Sequence, residues 1–453
     1  MKKYIFGIII LLLITSCSTL FEGFIESVNK DFDEYANNNY YEPEELNIFN
    51  NNKMNNKERV KIPLEDFFKN PEKSSFKISP NGLFIAYMKP WEDGNRMMNI
   101  YVKSMDSNDE IRITNASERS IYGFFWLSNN RIAYIQDKGG DENFRIYAVN
   151  TDGNNEVNLT PFDNVQSQII DDLDDNPNFM IVGLNIRNPQ IHDAYRLNVN
   201  SGELTMLAEN PGNISSWMTD NNGILRIATT SDGVNTSILY REDETKEFKS
   251  ILTTNFKESV NPLFFTFDND ELYVSSNRGR DKSAIYTFDL KTGKENKLIF
   301  EHPDVDVYSL MRSKKRKIIT GVIYTTDKTQ RVFFDSEREL IQQKIEEKVP
   351  NYDVAISSFN KEETKAIVVS YSDKSRGTYY YYDLENDNLV KLADLSPWLN
   401  ENDMASMLPI SYQSRDGLTI NGYLTLPVGS SGKNLPIISV PLMSPSIVIS
   451  SSA

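Results

Sequence analysis

The sequence predicts an all-β chain whose main body is a seven-bladed β-propeller, a ring of small radially repeated sheets. Three observations predict it. A strand ending in an aromatic residue recurs seven times at a steady spacing. Short apolar strands alternate with Gly, Asn and Asp turns. Tyr and Phe are abundant, at 23 and 24 of 453 residues, while Leu- and Ala-rich helical windows are few.

The recurring strand ends are Ile100-Tyr101, Ile146-Tyr147, Ala194-Tyr195, Leu239-Tyr240, Ile285-Tyr286, Val332-Phe333 and Tyr380-Tyr381. Their second residues are separated by 46, 48, 45, 46, 47 and 48 positions. Units of this length hold four short strands, as a propeller blade requires. The first unit shows the anatomy. Ile78-Ser79-Pro80-Asn81-Gly82 is a turn and Leu83 to Tyr87 a strand. Asn99 to Val102 and Glu110 to Thr114 are further strands. The second unit repeats it with Arg131 to Ile135, Phe144 to Val149 and Val157 to Thr160. The fifth does so with Glu271 to Val274 and Ala284 to Asp289. The sixth departs: Ser336 to Lys348 reads as a helix ending before Pro350, with Leu340, Ile341 and Ile345 available to cover one face. A set of separate β-sandwiches would need linkers, and none is visible between Lys61 and Leu392.

Charge narrows the function classes. Lys and Arg number 48 against 64 Asp and Glu, a formal charge of −16. Such a surface repels phosphate, so nucleic acid is not an expected partner. The chain opens with Lys2-Lys3, an apolar run from Tyr4 to Ile14, and then Thr15-Ser16-Cys17. A basic start, a short apolar core and small residues before a possible cut are the marks of a secretory signal. The run is too short to span a membrane comfortably. Cys17, the one cysteine, stands where a bacterial lipoprotein signal places its acylated residue. The expectation is a signal over 1–16, lipid attachment at Cys17, and an extracytoplasmic position on the bacterial envelope. An ordinary signal peptide holding a Cys is the alternative. Residues 17–59 are expected to form a flexible tether, because this Asn- and acid-rich stretch has too little apolar surface to fold alone. The propeller is expected over 60–400.

Two stretches carry a resemblance. Ile62-Pro63-Leu64-Glu65-Asp66-Phe67-Phe68, running into Phe76-Lys77-Ile78-Ser79-Pro80-Asn81-Gly82, is similar to the start of the propeller in S9 (prolyl oligopeptidase family) serine peptidases. Gly139 to Phe144 resembles a loop of their second blade. Ile410 to Pro427 resembles the segment where such a chain leaves the propeller and begins its α/β-hydrolase domain. The likeness implies that 401–438 holds the first strands of an incomplete hydrolase domain. In the family, a His-Gly-Gly-Pro segment would follow Leu435-Pro436-Ile437-Ile438. Here 439–453 turns to Ser, Pro and Ile, and is expected to be an aberrant tail produced by a frameshift near Ser439. TolB-like propellers share the blade motifs, so a lipoprotein scaffold binding envelope proteins is the competing reading.

The chemistry of hydrolysis is not visible. The reaction needs a Ser on a strand-to-helix elbow, a His base and an orienting acid, and no Gly-x-Ser-x-Gly occurs. Gly429-Ser430-Ser431-Gly432 has the wrong spacing. The two histidines, His192 and His302, read as turn or blade-edge residues and are too few for a zinc site. Asp171, Asp172, Asp174 and Asp175 could hold a cation weakly, but read better as a hydrated turn between blades. Arg278-Gly279-Arg280 reads as ordinary loop charge. No catalytic, cofactor-binding or metal-binding residue is expected. The expected role is the family's propeller role, restricting peptide access to a hydrolase site, with the chain inactive alone. Its expected partners are a membrane, through Cys17, and a peptide or envelope protein.

Overall fold

A computed structural model describes residues 61–107, 109–430 and 438. The fold divides into two compact units. One comprises residues 70–372 and 377–396. The other comprises 61–69, 373–376 and 397–430.

The larger unit contains seven antiparallel sheets. Six have four strands in sequential order. They are β1 (Ser74–Ile78), β2 (Phe84–Trp91), β3 (Met97–Ser104) and β4 (Glu110–Arg112); β5 (Gly123–Ser128), β6 (Arg131–Gln136), β7 (Arg145–Asn150) and β8 (Val157–Asn158); β9 (Ser167–Asp171), β10 (Phe179–Asn188), β11 (Ile191–Asn198) and β12 (Leu204–Ala208); β13 (Ile214–Thr219), β14 (Leu225–Ser231), β15 (Asn235–Tyr240) and β16 (Lys249–Asn255); β17 (Val260–Phe265), β18 (Glu271–Ser276), β19 (Ala284–Asp289) and β20 (Lys294–Phe300); and, as the seventh sheet, β24 (Asp353–Phe359), β25 (Lys365–Ser372), β26 (Ser375–Asp383) and β27 (Asn388–Asp394). The sixth sheet has three strands, β21 (Val307–Ser313), β22 (Ile318–Thr325) and β23 (Thr329–Phe333). The aromatic strand ends read from the sequence all fall on the third strand of their sheets.

Each sheet is too thin to bury its own faces, and the apolar clusters show how the ring solves this. One combines Ile100 and Val102 of the first sheet with Phe124, Ile132 and Tyr134 of the second. Another joins Ala133 and Ile146 of the second to Met180, Val182 and Leu197 of the third. Others join the fourth sheet to the fifth and the fifth to the sixth. The ring closes by the same means: Phe76, Ile78, Ile85 and Tyr87 of the first sheet pack with Ile367 and Tyr381 of the seventh. Hydrogen bonds reinforce that seam, with Lys361 N donating to the Pro80 carbonyl at 2.8 Å and Lys365 Nζ to that of Gly82 at 3.2 Å. Sequential meanders closed on themselves leave few free sheet edges. The chain is thus an all-β, seven-bladed propeller over most of its length.

Two α-helices interrupt the strands among the described residues. In the smaller unit, α1 (Leu64–Phe68) receives the Trp398 indole N–H on the Asp66 carbonyl at 2.9 Å, and the Lys69 ammonium lies 4.4 Å from the Trp398 ring centre. The helix expected in the sixth unit is α2 (Ser336–Lys348). The Asp335 carboxylate caps it by accepting from Arg338 N at 3.0 Å. Its face differs from expectation. Ile345 is fully buried and Ile341 partly so, but Leu340 is half exposed, and Arg338 and Gln342 share the covered side.

The smaller unit also holds the hairpin β28 (Met407–Gln413) and β29 (Thr419–Thr425), joined through a Ser414–Leu418 turn. β28 alternates between exposed and partly covered residues, β29 does so only from Asn421 onward, and among the described residues the two pair only with each other.

Candidate functional site

The first strands of the sheets approach one another around the axis of the ring, as β9 does β13 and β1 does β24. They are also less covered than the second and third strands: Gln168, Ser215 and Ser216 are exposed, whereas Ile181, Val182 and Ala228 are fully buried. The inner wall is therefore the face available to a ligand. A cavity of about 270 Å³ between the third and fourth sheets is lined by Gln168, Gln190, His192, Asn210, Ser215 and Trp217, among others. A second, of about 300 Å³ between the fourth and fifth, is lined by Ser216, Met218, Thr229, Thr236, Asn261 and Pro262, among others. Amides and hydroxyls of this kind can hydrogen-bond a peptide backbone. They supply no nucleophile activated by a base.

The histidines stand apart from any such arrangement. The His192 carbonyl accepts from Asn210 Nδ2 and Trp217 Nε1, both at 3.3 Å. Its Nε2 is buried with no hydrogen-bond partner among the described atoms. Burial pushes the imidazole below its ordinary range, with Asp193 opposing, so it is neutral near pH 7. The His302 ring lies 4.9 Å from that of Tyr324, and its Nδ1 accepts from Asp304 N at 3.1 Å. Ser430 N bonds the Pro427 carbonyl at 3.0 Å, and Ser431-Gly432 lie outside the described residues. Arg278 and Arg280 face Glu295 and Glu301 respectively, while Gly279 N donates to Glu258 at 3.2 Å.

The acidic cluster is where the structure corrects the sequence reading. It is not simply a hydrated turn between neighbouring blades. Asp171 ends β9, and its carboxylate accepts from the Thr219 hydroxyl at the end of β13. Asp174 pairs with Lys314 of the sixth sheet, and Asp175 with Lys361 of the seventh at 2.8 Å. Asp172 is partly buried, and its carboxyl is pushed up to about 6, first by that burial and then by Asp174. Arg312 on β21 is held below its ordinary range by burial while Asp174, Asp171 and Asp172 pull it back up. Lys77 on β1 is lowered by burial in the same way, with Asp172 opposing. Among the described residues no cluster of His, Cys, Asp and Glu has the arrangement of a metal site.

Sequence reasoning missed Lys77, Thr219, Arg312, Lys314 and Lys361 as partners of the cluster. One signal was legible: Lys314-Lys315-Arg316-Lys317 is a basic run in a corresponding turn of another unit. Cys17 and residues 439–453 lie outside the described residues.

A closed ring of seven radially repeated sheets is the fold of the propeller in the prolyl oligopeptidase (S9) class of serine peptidases. Among solved structures, a prolyl endopeptidase matches with a TM-score of 0.57 at 11% identity, covering 80% of this chain and 55% of its own. Prolyl oligopeptidase B from Galerina marginata matches at 0.52 and 12%, covering 79% and 56%. These likenesses establish the fold alone. Among curated proteins, dipeptidyl aminopeptidase BIII of Pseudoxanthomonas mexicana is 28% identical over 384 residues, covering 82% of this chain and 54% of the relative. Dipeptidyl peptidase family member 6 of Caenorhabditis elegans is 22% identical over 391 residues, covering 81% and 51%. The chain spans about half the length of the curated relatives it matches. No protein-family model matches it.

Proposed function

We propose that this chain is the non-catalytic propeller portion of an S9-type serine peptidase, that its role is to restrict which peptides reach a hydrolase site, and that it hydrolyses nothing alone. The observation that carries the proposal is the 384-residue similarity to a dipeptidyl aminopeptidase, joined to a ring of seven sheets. The cavities between the third, fourth and fifth sheets support it, because they offer amides and hydroxyls suited to a peptide backbone. The relatives are peptidases, which favours this reading over a TolB-like envelope scaffold.

Dipeptidyl and acyl-peptide chromogenic substrates test the first part. The purified chain should show no turnover above a buffer blank; turnover abolished by a serine substitution such as Ser430→Ala would refute it. For the access role, residues 70–396 can replace the matching segment of the Pseudoxanthomonas enzyme. The chimera should cleave short peptides and spare long ones, and equal cleavage of both would count against screening.

The anchor belongs to the same proposal: Cys17 is acylated and holds the protein on the outside of a bacterial membrane. Among the described residues no helix is long and apolar enough to cross one. Labelling with a radioactive fatty acid should mark the chain and not its Cys17→Ala variant. Equal labelling of both would remove the anchor.

A further inference from the structure

The connection between the first and second strands is longest in the third sheet. Seven residues, 172–178, lie between β9 and β10, against two to five at the same place in the other six sheets. These connections share one face of the ring, because each joins an inner strand to the next strand outward. In a ring of seven, the sheets opposite the third are the sixth and seventh. The long connection reaches both, through Asp174 to Lys314 and Asp175 to Lys361. A segment rooted in one sheet and paired with the two opposite it must pass over the central opening.

Its near end is held as well. Thr219 of the fourth sheet donates to Asp171. Leu173 adopts a left-handed backbone, φ 52°, which is strained for a bulky side chain. The strain is held by contact: the Leu173 side chain fills the space over Gly223 of the fourth sheet, where an added Cβ would come within 2.5 Å of Leu173 Cδ2.

We propose that residues 172–178 are a strap that closes one mouth of the channel, latched at the far side by Lys314 and Lys361, so that a peptide enters from the opposite face or only after the strap lets go. The strap and its latch do not rest on the peptidase reading; only the peptide as the entering molecule does. Both far-side pairs are exposed, and such pairs are weak and screened by salt. The strap is therefore held loosely enough to open.

Burial first, and then the charge on Asp174, raise the Asp172 carboxyl, and the charged groups facing the strap come from several elements. Asp171, Asp174 and Asp175 come from its own segment. Arg312, Lys314 and Lys317 come from the sixth sheet, Lys361 and Glu362 from the seventh, and Lys77 from the first. Closed, Asp172 binds a proton at about pH 6. Released into water it returns to the ordinary value near 3.9. The closed state therefore holds the proton more tightly, and acidification favours closure. The ratio of closed to open rises about tenfold from pH 8 to pH 5. Lys361 holds the Asp175 carboxyl below the usual range, so that latch survives to lower pH.

Hydrogen exchange on the full chain tests this, with exchange rates corrected for intrinsic pH dependence. The reporting amides are Leu173 N, bonded to Asp171 Oδ1, and Asn176 N, bonded to the Leu173 carbonyl. Their protection should rise about tenfold from pH 8 to pH 5. Asp172→Asn should lose that rise. Lys314→Ala with Lys361→Ala should cut their protection while β10 and β14 keep theirs, which also shows that the variant is folded. Should the pair unfold the protein, Lys361→Ala alone with added salt serves the same comparison. Strap protection unchanged by removing both lysines, or by salt, would overturn the proposal.

Discussion

At Thr114 and Thr160 the same side chain solves the same local problem in two sheets. Each follows the fourth strand and is almost wholly buried. Each accepts the amide of the first residue in a recurrent Ile-Tyr pair: Ile100 N to Thr114 Oγ1 at 3.0 Å, and Ile146 N to Thr160 Oγ1 at 2.9 Å. Valine has the same shape without the acceptor, so it leaves a buried N–H unsatisfied. Thr114→Val and Thr160→Val should each cost about 1–3 kcal/mol, read as a shift in urea midpoint at constant m-value. Gly293 and Gly233 separate two other effects. Both have positive φ, 65° and 89°, but a Cβ at Gly293 would stand 2.1 Å from the Ile251 carbonyl oxygen, while nothing lies within 4 Å at Gly233. Gly233→Ala should cost only the conformational strain, about 1 kcal/mol. Gly293→Ala should cost distinctly more, and equal losses would show that the backbone near Ile251 yields freely.

Among the elements, α2 is the one whose covered face was only half legible. Helical spacing put Leu340, Ile341 and Ile345 together, but the seventh sheet meets the helix at Ile345, where Val349, Val354 and Val368 also pack. Gln342 uses that side to donate to the Val354 carbonyl at 3.1 Å, and Arg338 to reach Glu363 at 2.8 Å. Ile345→Ala should therefore destabilise by about 2–5 kcal/mol, while Leu340→Ala should stay within about 0.5 kcal/mol. Thermal unfolding of the two variants side by side checks the contrast. The β28–β29 hairpin is at the opposite extreme. A two-stranded sheet with Met407, Leu418 and Tyr423 exposed has little of its own to hold it. Its amides should exchange faster than those of the propeller strands.

For the whole molecule, the decisive seam joins the first sheet to the seventh, the one junction between sheets that are not consecutive in sequence. Ile367 is fully buried there among Phe76, Ile78 and Tyr87. Ile367→Ala should cost about 2–5 kcal/mol, and β1 and β2 should lose protection before the fourth sheet does. Simultaneous loss in all sheets would mean that the ring opens only as a unit.

The sequence by itself determined the repeat. Tyr101, Tyr147, Tyr195, Tyr240, Tyr286, Phe333 and Tyr381 mark the third strand of successive sheets, because each sheet must bury both faces and so needs the same apolar pattern at the same place. It also carried the helix from Ser336 to Lys348, whose backbone hydrogen bonds are local. Only the tertiary structure decided what faces what across the ring. Asp174 and Lys314 are 140 residues apart, and Asp175 and Lys361 are 186 apart. Local patterning encodes strands and turns because neighbouring residues share one element. It does not encode which charges meet across a closed circle, since that depends on the number of sheets and on the seam that joins the last to the first.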